Sequence, residues 1–370
     1  MIRTVDPMSV QTLLRAANQD AGTTVHRAGR PGGSPASDQG VPVDEILGAA
    51  EGRFFGSGYR RITQRILDLA WEPPASTQDG GSSAGRRAGG RAAIDCPADW
   101  SCKNGSSVAP HLSSVDALAL SLRLVDAFLS NGYDLTDRRA SGVWLRRFVM
   151  KSGGEPHLDL GNVGLDVVER ERVPSQVRSG GWSSNFDCAV GNIKVRCEVE
   201  QEADFPVRRL AAGSRLAVPT APDQSAYQDR IHHITDVTVD VPAHSASGVA
   251  RTVTAEPVPP AAGDADSGSS TLLDSMIVLA QLGQALLYRM DSLDRAQTNT
   301  LWMRRVDMWR NDPYQPLGVP MRCTTDVTRS STVDLAGTRW RVSNMAGTCG
   351  GSTVRYSVGH QLPANGGGAA

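Results

Sequence analysis

Thr271 to Trp309 reads TLLDSMIVLAQLGQALLYRMDSLDRAQTNTLWMRRVDMW. Its first half is apolar around almost the whole circumference of a helix. Its end, LWMRRV, sets two arginines inside an aromatic and aliphatic run. The same stretch occurs earlier: Ser113 to Met150 reads SSVDALALSLRLVDAFLSNGYDLTDRRASGVWLRRFVM. Asp116 matches Asp274, Leu124 matches Leu282, Trp144 matches Trp302, and Arg146 and Arg147 match Arg304 and Arg305, all at one offset of 158 residues. An ungapped repeat of that length implies two copies of one structural unit. A helix that is apolar on every side must be wrapped, not merely docked on one face. Strand-like runs follow each helix: Trp144–Met150, Leu158–Val173 and Phe186–Val199 in the first copy, and Met321–Leu335, Thr338–Val342 and Thr353–Gly359 in the second. The expected class is α+β, with each half a long apolar helix wrapped by a curved antiparallel sheet.

Outside the repeat the composition sets limits. The chain has 370 residues, 40% of them hydrophobic, enough for substantial cores, while 38 Gly and 21 Pro imply much irregular chain. A net charge of −1 gives no global field toward nucleic acid or an anionic membrane, and no DNA-docking motif is present. The six cysteines form neither a CxxC pair nor a Cys/His set at zinc spacing. The start of the chain lacks a basic segment followed by an apolar one. The longest apolar run, Met276–Leu287, falls short of the roughly 20 residues a membrane span needs. These features lead us to expect a soluble cytoplasmic protein with reduced thiols, no metal, no cofactor, and neither nucleic acid nor membrane as partner.

The expected division is a disordered extension over 1–43, a first repeat over 44–205, a linker over 206–224, a second repeat over 225–362 and a disordered tail over 363–370. Ala21–Gly40 has too few large apolar groups to offset ordering entropy. Pro73–Arg91 and Pro257–Ser270 read as matching low-complexity loops. One strand is expected ahead of each helix, over Ile62–Trp71 and Asp229–Val241. Gly56-Ser57-Gly58 matches neither a dinucleotide fingerprint nor a P-loop; it reads as a turn whose glycines allow positive φ, with a phosphate-cradling loop as the other reading.

The run Arg53-Phe-Phe-Gly-Ser-Gly-Tyr-Arg-Arg61, with SVDALAL and WLRR downstream, resembles the AvrD family from about Val43 to Gln361. That family is named for an avirulence function in plant-pathogenic bacteria. The resemblance implies a tandem (double) hotdog fold. It also implies synthesis of acylated sugar-type elicitors, the syringolides, from a β-ketoacyl thioester on CoA or an acyl carrier protein and a small polyol such as the ketopentose xylulose. The helix pattern is similar to that of the A-factor synthase group, which builds γ-butyrolactone signals. LLDSMIVLAQLGQALL is more distantly similar to double-hotdog polyketide dehydratases. Those dehydratases carry HxxxGxxxxP before the first helix and an Asp with Gln or His four residues on in the second. Here His111 lacks the glycine, His157 with Gly161 follows the helix and lacks the proline, and Asp274 is followed by Val278. The dyad is not present as a set. A dehydratase, a thioesterase or a non-catalytic acyl- or lactone-binding hotdog remain the alternative readings.

Candidate site residues follow from the repeat. Asp116 and Asp274 each stand three residues after a hydroxyl, the pattern of a capping box; a carboxylate at the mouth of a wrapped helix can also serve as general base. Gln281 lies two turns beyond Asp274 on nearly the same face. Trp144 and Trp302 precede the arginine pairs. Arg146 and Arg304 are expected on the face of their tryptophans, and Arg147 and Arg305 on the other. One arginine of each pair is a candidate to grip a carrier phosphate or an enolate oxygen, or to pair across the interface between halves. His232 and His233 are adjacent on a predicted strand and face opposite ways. One of the two is expected to be exposed and the other to be either a satisfied core histidine or a general base; His233 is taken as that candidate base, with His111, close to the first helix start, as the alternative. Tyr59 and Arg61 border the expected acyl entrance. No nucleophile elbow or activated cysteine is present, so no covalent acyl-enzyme is expected.

Overall fold

The computed structural model of the chain describes residues 40–72, 85–103, 106–134, 142–219, 226–255, 269–295, 301–335 and 337–363. A short helix α1 (Val43–Leu47) leads into strands β1 (Thr63–Glu72) and β2 (Arg87–Asp95), then a small ladder of β3 (Cys102–Lys103) and β4 (Ser106–Ser107). Helix α2 (Ser114–Gly132) follows, then β5 (Trp144–Lys151), β6 (Val163–Pro174), β7 (Trp182–Val190) and β8 (Ile193–Gln201). The second half repeats this with β9 (Arg230–Asp240), β10 (Ser245–Thr254), helix α3 (Leu272–Met290), β11 (Trp302–Arg310), β12 (Met321–Leu335), β13 (Thr338–Cys349) and β14 (Ser352–Gln361). The two long helices have the same length, 19 residues, and start and end at the offset seen in the sequence.

Twelve strands form one antiparallel sheet in the order β1-β2-β6-β7-β8-β5-β11-β14-β13-β12-β10-β9. Read outward from the centre, each half gives the same strand order, so the halves are related by a pseudo-twofold axis at the β5–β11 seam. There Arg147 faces Trp309 and Lys151 faces Arg305. Each half curls around its own helix, the arrangement of a double hotdog. The strands alternate as this requires: on β8, Ile193, Val195, Cys197 and Val199 are buried while Lys194 and Arg196 are exposed.

Helix α3 buries 16 of its 19 residues and α2 buries 14 of 19. The difference has a visible cause. Helix α1 lies on α3 and contributes buried Val43 and Leu47, so α3 is covered on the side the sheet leaves open. Arg53 completes this cover by donating to the Gln281 side chain at 2.8 Å and pairing with Asp44.

Several expectations change here. Two strands of the large sheet, not one, precede each helix. The second of each pair is rich in small residues, Ala88, Gly89, Gly90 and Ala92 in β2 and Ala246, Gly248 and Ala250 in β10. These give little hydrophobic pattern to read, yet they suit close approach: a Cβ on Gly248 would stand 3.5 Å from Leu282 Cδ2. Arg87–Arg91 therefore belongs to β2, and only 73–84 of the expected loop falls outside the described residues, as does 257–268 of its counterpart. Tyr59, expected at an acyl entrance, sits in a 3₁₀ turn, Gly58–Arg61, and is buried. Gly56 and Gly58 do not take positive φ. Their role is close packing, because a Cβ on Gly58 would strike the Trp100 carbonyl. Within the expected extension Val41 bridges Val237, while 1–39 lies outside the described residues. Within the expected linker, Leu216 N–H donates to the Leu69 carbonyl at 2.9 Å, laying that segment along β1; residues 220–225 and 364–370 lie outside the described residues.

Candidate functional site

Each long helix begins with a complete capping box. Ser113 caps α2, and its hydroxyl accepts the Asp116 N–H at 3.1 Å while donating to Asp116 Oδ2 at 2.5 Å. Thr271 caps α3 in the same way, with Asp274 Oδ2 accepting from the Thr271 N–H at 2.7 Å. Both acids are 1% exposed. Their second oxygens meet different partners. Asp116 Oδ1 accepts from Gln64 Nε2 at 2.7 Å. Asp274 Oδ1 lies 2.9 Å from His232 Nε2, whose Nδ1 lies 3.0 Å from the Tyr59 hydroxyl.

The partners set opposite electrostatics. Burial raises the Asp116 carboxyl above its ordinary range, and its neutral partners only partly oppose this. Burial works on Asp274 in the same direction, but the His232 bond and charge, Arg230 and the Thr271 cap outweigh it and hold the carboxyl low. Gln64 and His232 occupy matching places in the edge strands β1 and β9. Each strand is kinked four residues later, at Asp68 (φ 51°) and Asp236 (φ 52°).

A cavity of about 140 Å³ opens at the N-terminus of α2. Its walls include Leu112, Ser113 and Ser114 from the start of α2, Gly283, Gln284, Leu287 and Tyr288 from the second half of α3, and Trp302 and Met303 from β11. Phe54, Phe55 and Trp100 close one side, and the loop from Ser152 to His157 closes another. Phe54 meets Trp100 edge-on at 5.3 Å, the contact that the Gly58 turn permits. His111 stands at the mouth of the helix, stacked on Trp302 at 6.2 Å. Its Nδ1 lies 3.0 Å from the Ala109 carbonyl. A carbonyl only accepts, so Nδ1 is the donor, and in the neutral ring the lone pair is on Nε2.

The matching end of α3 is built differently. Ser269 stands where His111 would fall, and its hydroxyl accepts from Gln315 N–H at 3.0 Å. Trp144, the counterpart of Trp302, is faced by the Arg310 guanidinium at 5.8 Å, which also donates to the Ser270 carbonyl at 2.6 Å. The duplicated ends have therefore diverged: one holds a histidine stacked on its tryptophan at a cavity, the other an arginine facing its tryptophan.

The arginine pairs form a β-bulge in both halves. In β5 the register passes from Leu145 to Arg147, and in β11 from Met303 to Arg305. Arg146 and Arg304 are the extra residues, which breaks the strict alternation expected of them. Arg146 pairs with Glu198 and lies 3.8 Å from Glu200. Arg304 donates to the Gly153 carbonyl at 3.0 Å and so braces the loop that walls the cavity. Arg147 is bidentate to Asp307 at 2.8 and 2.9 Å on the outer face, and Arg305 is exposed. Arg61 pairs with Asp99 at 2.6 Å. Gln281 faces Arg53, not the cavity. His233 points outward; the histidine that turns in is His232.

Of the candidates read from the sequence, the structure places His111 and Trp302 at the cavity and gathers Tyr59 with Asp274. Tyr288, Lys103 and Arg295 also line the cavity and were not selected from the sequence; Gln284, a polar residue on the otherwise apolar α3, lines it too. A signal for Lys103 existed: only three of the chain's 38 Lys and Arg are lysines. Among the described residues no His/Cys/Asp/Glu group could hold a metal, the six cysteines are free, and no helix is long and apolar enough to cross a membrane.

The strand order, the duplicated wrapped helices and a cavity between one helix's start and the other's flank define a double-hotdog protein. The family model described as Pseudomonas avirulence D protein (AvrD) matches residues 41–363, and the chain belongs to that family. Similar solved structures include a tesB protein of Mycobacterium avium subspecies paratuberculosis, with 12% identity over 75% of this chain and 93% of that one (TM-score 0.37). A hot dog fold protein from Alicyclobacillus acidocaldarius shares 9% identity over 76% and 96% (TM-score 0.36). The acyl-CoA thioesterase II TesB2 of Mycobacterium marinum shares 12% over 67% and 89% (TM-score 0.34). No curated protein matches the chain.

Proposed function

We propose that the chain is a synthase that joins a β-ketoacyl chain, delivered as a thioester on CoA or an acyl carrier protein, to a hydroxyl of a sugar-derived polyol such as a ketopentose. The product is a syringolide- or butyrolactone-like acyl compound. The observation that supports this reading is His111, held through Nδ1 by the Ala109 carbonyl at the wall of a cavity that is apolar on one side and bounded by a helix N-terminus on another.

In this reading the acyl chain lies against Phe54, Phe55, Leu287 and Met303. His111 Nε2 takes the proton of the acceptor hydroxyl as its oxygen bonds to the thioester carbon. The oxyanion that forms is stabilised by the positive end of α2 at Ser113 and Ser114. The C–S bond then breaks, and the imidazolium returns its proton to the leaving thiolate. Asp116 and Asp274 act as positioning residues: Asp116 fixes the start of α2 through its cap, and Asp274 does the same for α3 while orienting His232. Arg304 holds the Gly153 loop. No covalent acyl-enzyme is needed.

The test is incubation with a β-ketoacyl thioester and xylulose or ribulose, followed by thiol titration and product mass spectrometry. Thiol release that requires the acceptor and yields the ester mass is expected, and His111→Ala should lower the rate by about 10²–10⁴-fold. Release independent of acceptor would instead indicate a thioesterase. Ligand that copurifies without turnover would indicate a binding protein.

A further inference from the structure

Strands β12 and β13 pair so that Cys323 stands directly opposite Cys349. One residue nearer the end of the ladder, the Gly350 N–H donates to the Arg322 carbonyl at 3.2 Å. Arg322 and Gly350 are therefore the hydrogen-bonded pair. Alternation along an antiparallel ladder then makes Cys323 and Cys349 the non-hydrogen-bonded pair. A pair of that kind brings its Cα atoms to about 4.5 Å, inside the span of roughly 4.4–6.8 Å that a disulfide bridges. The two Sγ atoms lie 2.9 Å apart, and both cysteines are completely buried.

The neighbouring strands leave this pair undisturbed. Gly248 faces Cys323 from β10, and Ser352 faces Cys349 from β14. The row Gly248–Cys323–Cys349–Ser352 holds small residues only, so no bulky strand neighbour separates the sulfurs. Ser352 in turn meets Ser275, in the first turn of α3, with the two Oγ atoms 3.1 Å apart. The pair accordingly lies beneath the start of α3. The first half has two buried cysteines on adjacent strands without this register. There Cys188 is opposite Val195 and Cys197 is opposite Phe186. That relation is diagonal, at roughly 7–8 Å between Cα atoms, where a bridge requires backbone movement.

We propose that Cys323 and Cys349 are a redox-modification site: a small-molecule disulfide converts them to an intramolecular disulfide that clamps β12 to β13 beneath the start of α3. Cys349 ends β13, and only Gly350 and Gly351 separate it from β14. When this turn opens, the Cys349 thiolate attacks one sulfur of the small disulfide, forming a mixed disulfide and releasing the first small thiol. Cys323 then attacks the Cys349 sulfur. The mixed bond breaks and the second small thiol leaves. Two protein thiols are oxidised, one small disulfide is reduced to two thiols, and the two cysteine protons end on those thiols. In the closed ladder the Cys323 contact and burial push the Cys349 thiol well above its ordinary range, so exchange waits on the opening. The site stands independently of the acyl-transfer reading.

The reduced full chain is equilibrated with glutathione disulfide and quenched in acid, and its thiols are counted in denaturant. The count is expected to fall by two from the six of the reduced chain, with the monomer lighter by two hydrogens. Peptide mapping should then join Cys323 to Cys349. The melting temperature should rise by about 3 °C or more over the reduced form and return on treatment with dithiothreitol. That rise should disappear in Cys323→Ala and persist in Cys188→Ala. Six thiols remaining after oxidation, a bond between Cys188 and Cys197, or a bond between two chains overturns the site. A Cys323–Cys349 bond that leaves the melting temperature unchanged or lowers it overturns the clamp.

Discussion

Asp116 and Asp274 are the same residue of one repeat, with equivalent caps and the same burial, yet their partners, Gln64 at one and His232 with Arg230 at the other, separate their energetics. Asp274 is held below its ordinary range, so it contributes stability above the unfolded carboxyl value of about 3.9, and that contribution is lost as pH falls through the folded value. Asp116 is raised, so its contribution is present below the unfolded value and is lost as pH rises through the folded one. Asp274→Asn should therefore cost about 1.5–3 kcal/mol near pH 7, the range for a hydrogen bond to a charged group. Its deficit should shrink below about pH 4. Asp116→Asn should cost less near pH 7, and its deficit should grow on acidification. Denaturant melts of both variants across this pH range provide the check. Equal losses with parallel pH profiles would show that His232 and Gln64 do not set the difference.

At the scale of elements, the two long helices were legible because everything that defines them is local: an apolar circumference, a hydroxyl–x–x–Asp start and a constant offset. Strands β2 and β10 were not, because the small residues that let them lie close to their neighbours remove the alternating pattern. The inward histidine was half legible. Alternation demands that one of His232 and His233 turn in, but the parity is fixed by the kink at Asp236. Placing Ile66-Leu67-Asp68 over Ile234-Thr235-Asp236 would have put Gln64 on His232. The cavity was least legible, since its wall is assembled from segments as distant as Phe54 and Val358, and only His111 lies next to a recognisable helix start. The 53–61 turn shows how the sequence can name a motif without giving its reason. Gly58 is needed for space, not for φ. Gly58→Ala should destabilise by about 1–3 kcal/mol as the turn is pushed off Trp100. Gly52→Ala meets nothing within 4 Å and should stay within about 0.5 kcal/mol. Similar losses in both variants would assign the effect to glycine content and not to packing.

For the whole molecule, duplication supplies two helix starts, and therefore two places where a site can form. The structure uses them unequally. Trp302 is covered by His111 beside an open cavity, whereas Trp144 is covered by Arg310, which is tied to the backbone ahead of α3. A duplicated fold can keep one end for ligand and close the other with its own side chains. The closed end still shapes the open one, because β11 carries Trp302, Met303 and Arg304 to one end and Arg310 to the other. One ligand per chain is therefore expected. Calorimetric titration with a non-hydrolysable thioether analogue of a β-ketoacyl-CoA should give a stoichiometry of about one, and Trp302→Ala should weaken binding by roughly 1–3 kcal/mol through loss of the wall against which His111 stacks. Two equivalent sites in the wild type, with one surviving in Trp302→Ala, would mean that both ends take ligand and that the closure at Trp144 opens in solution.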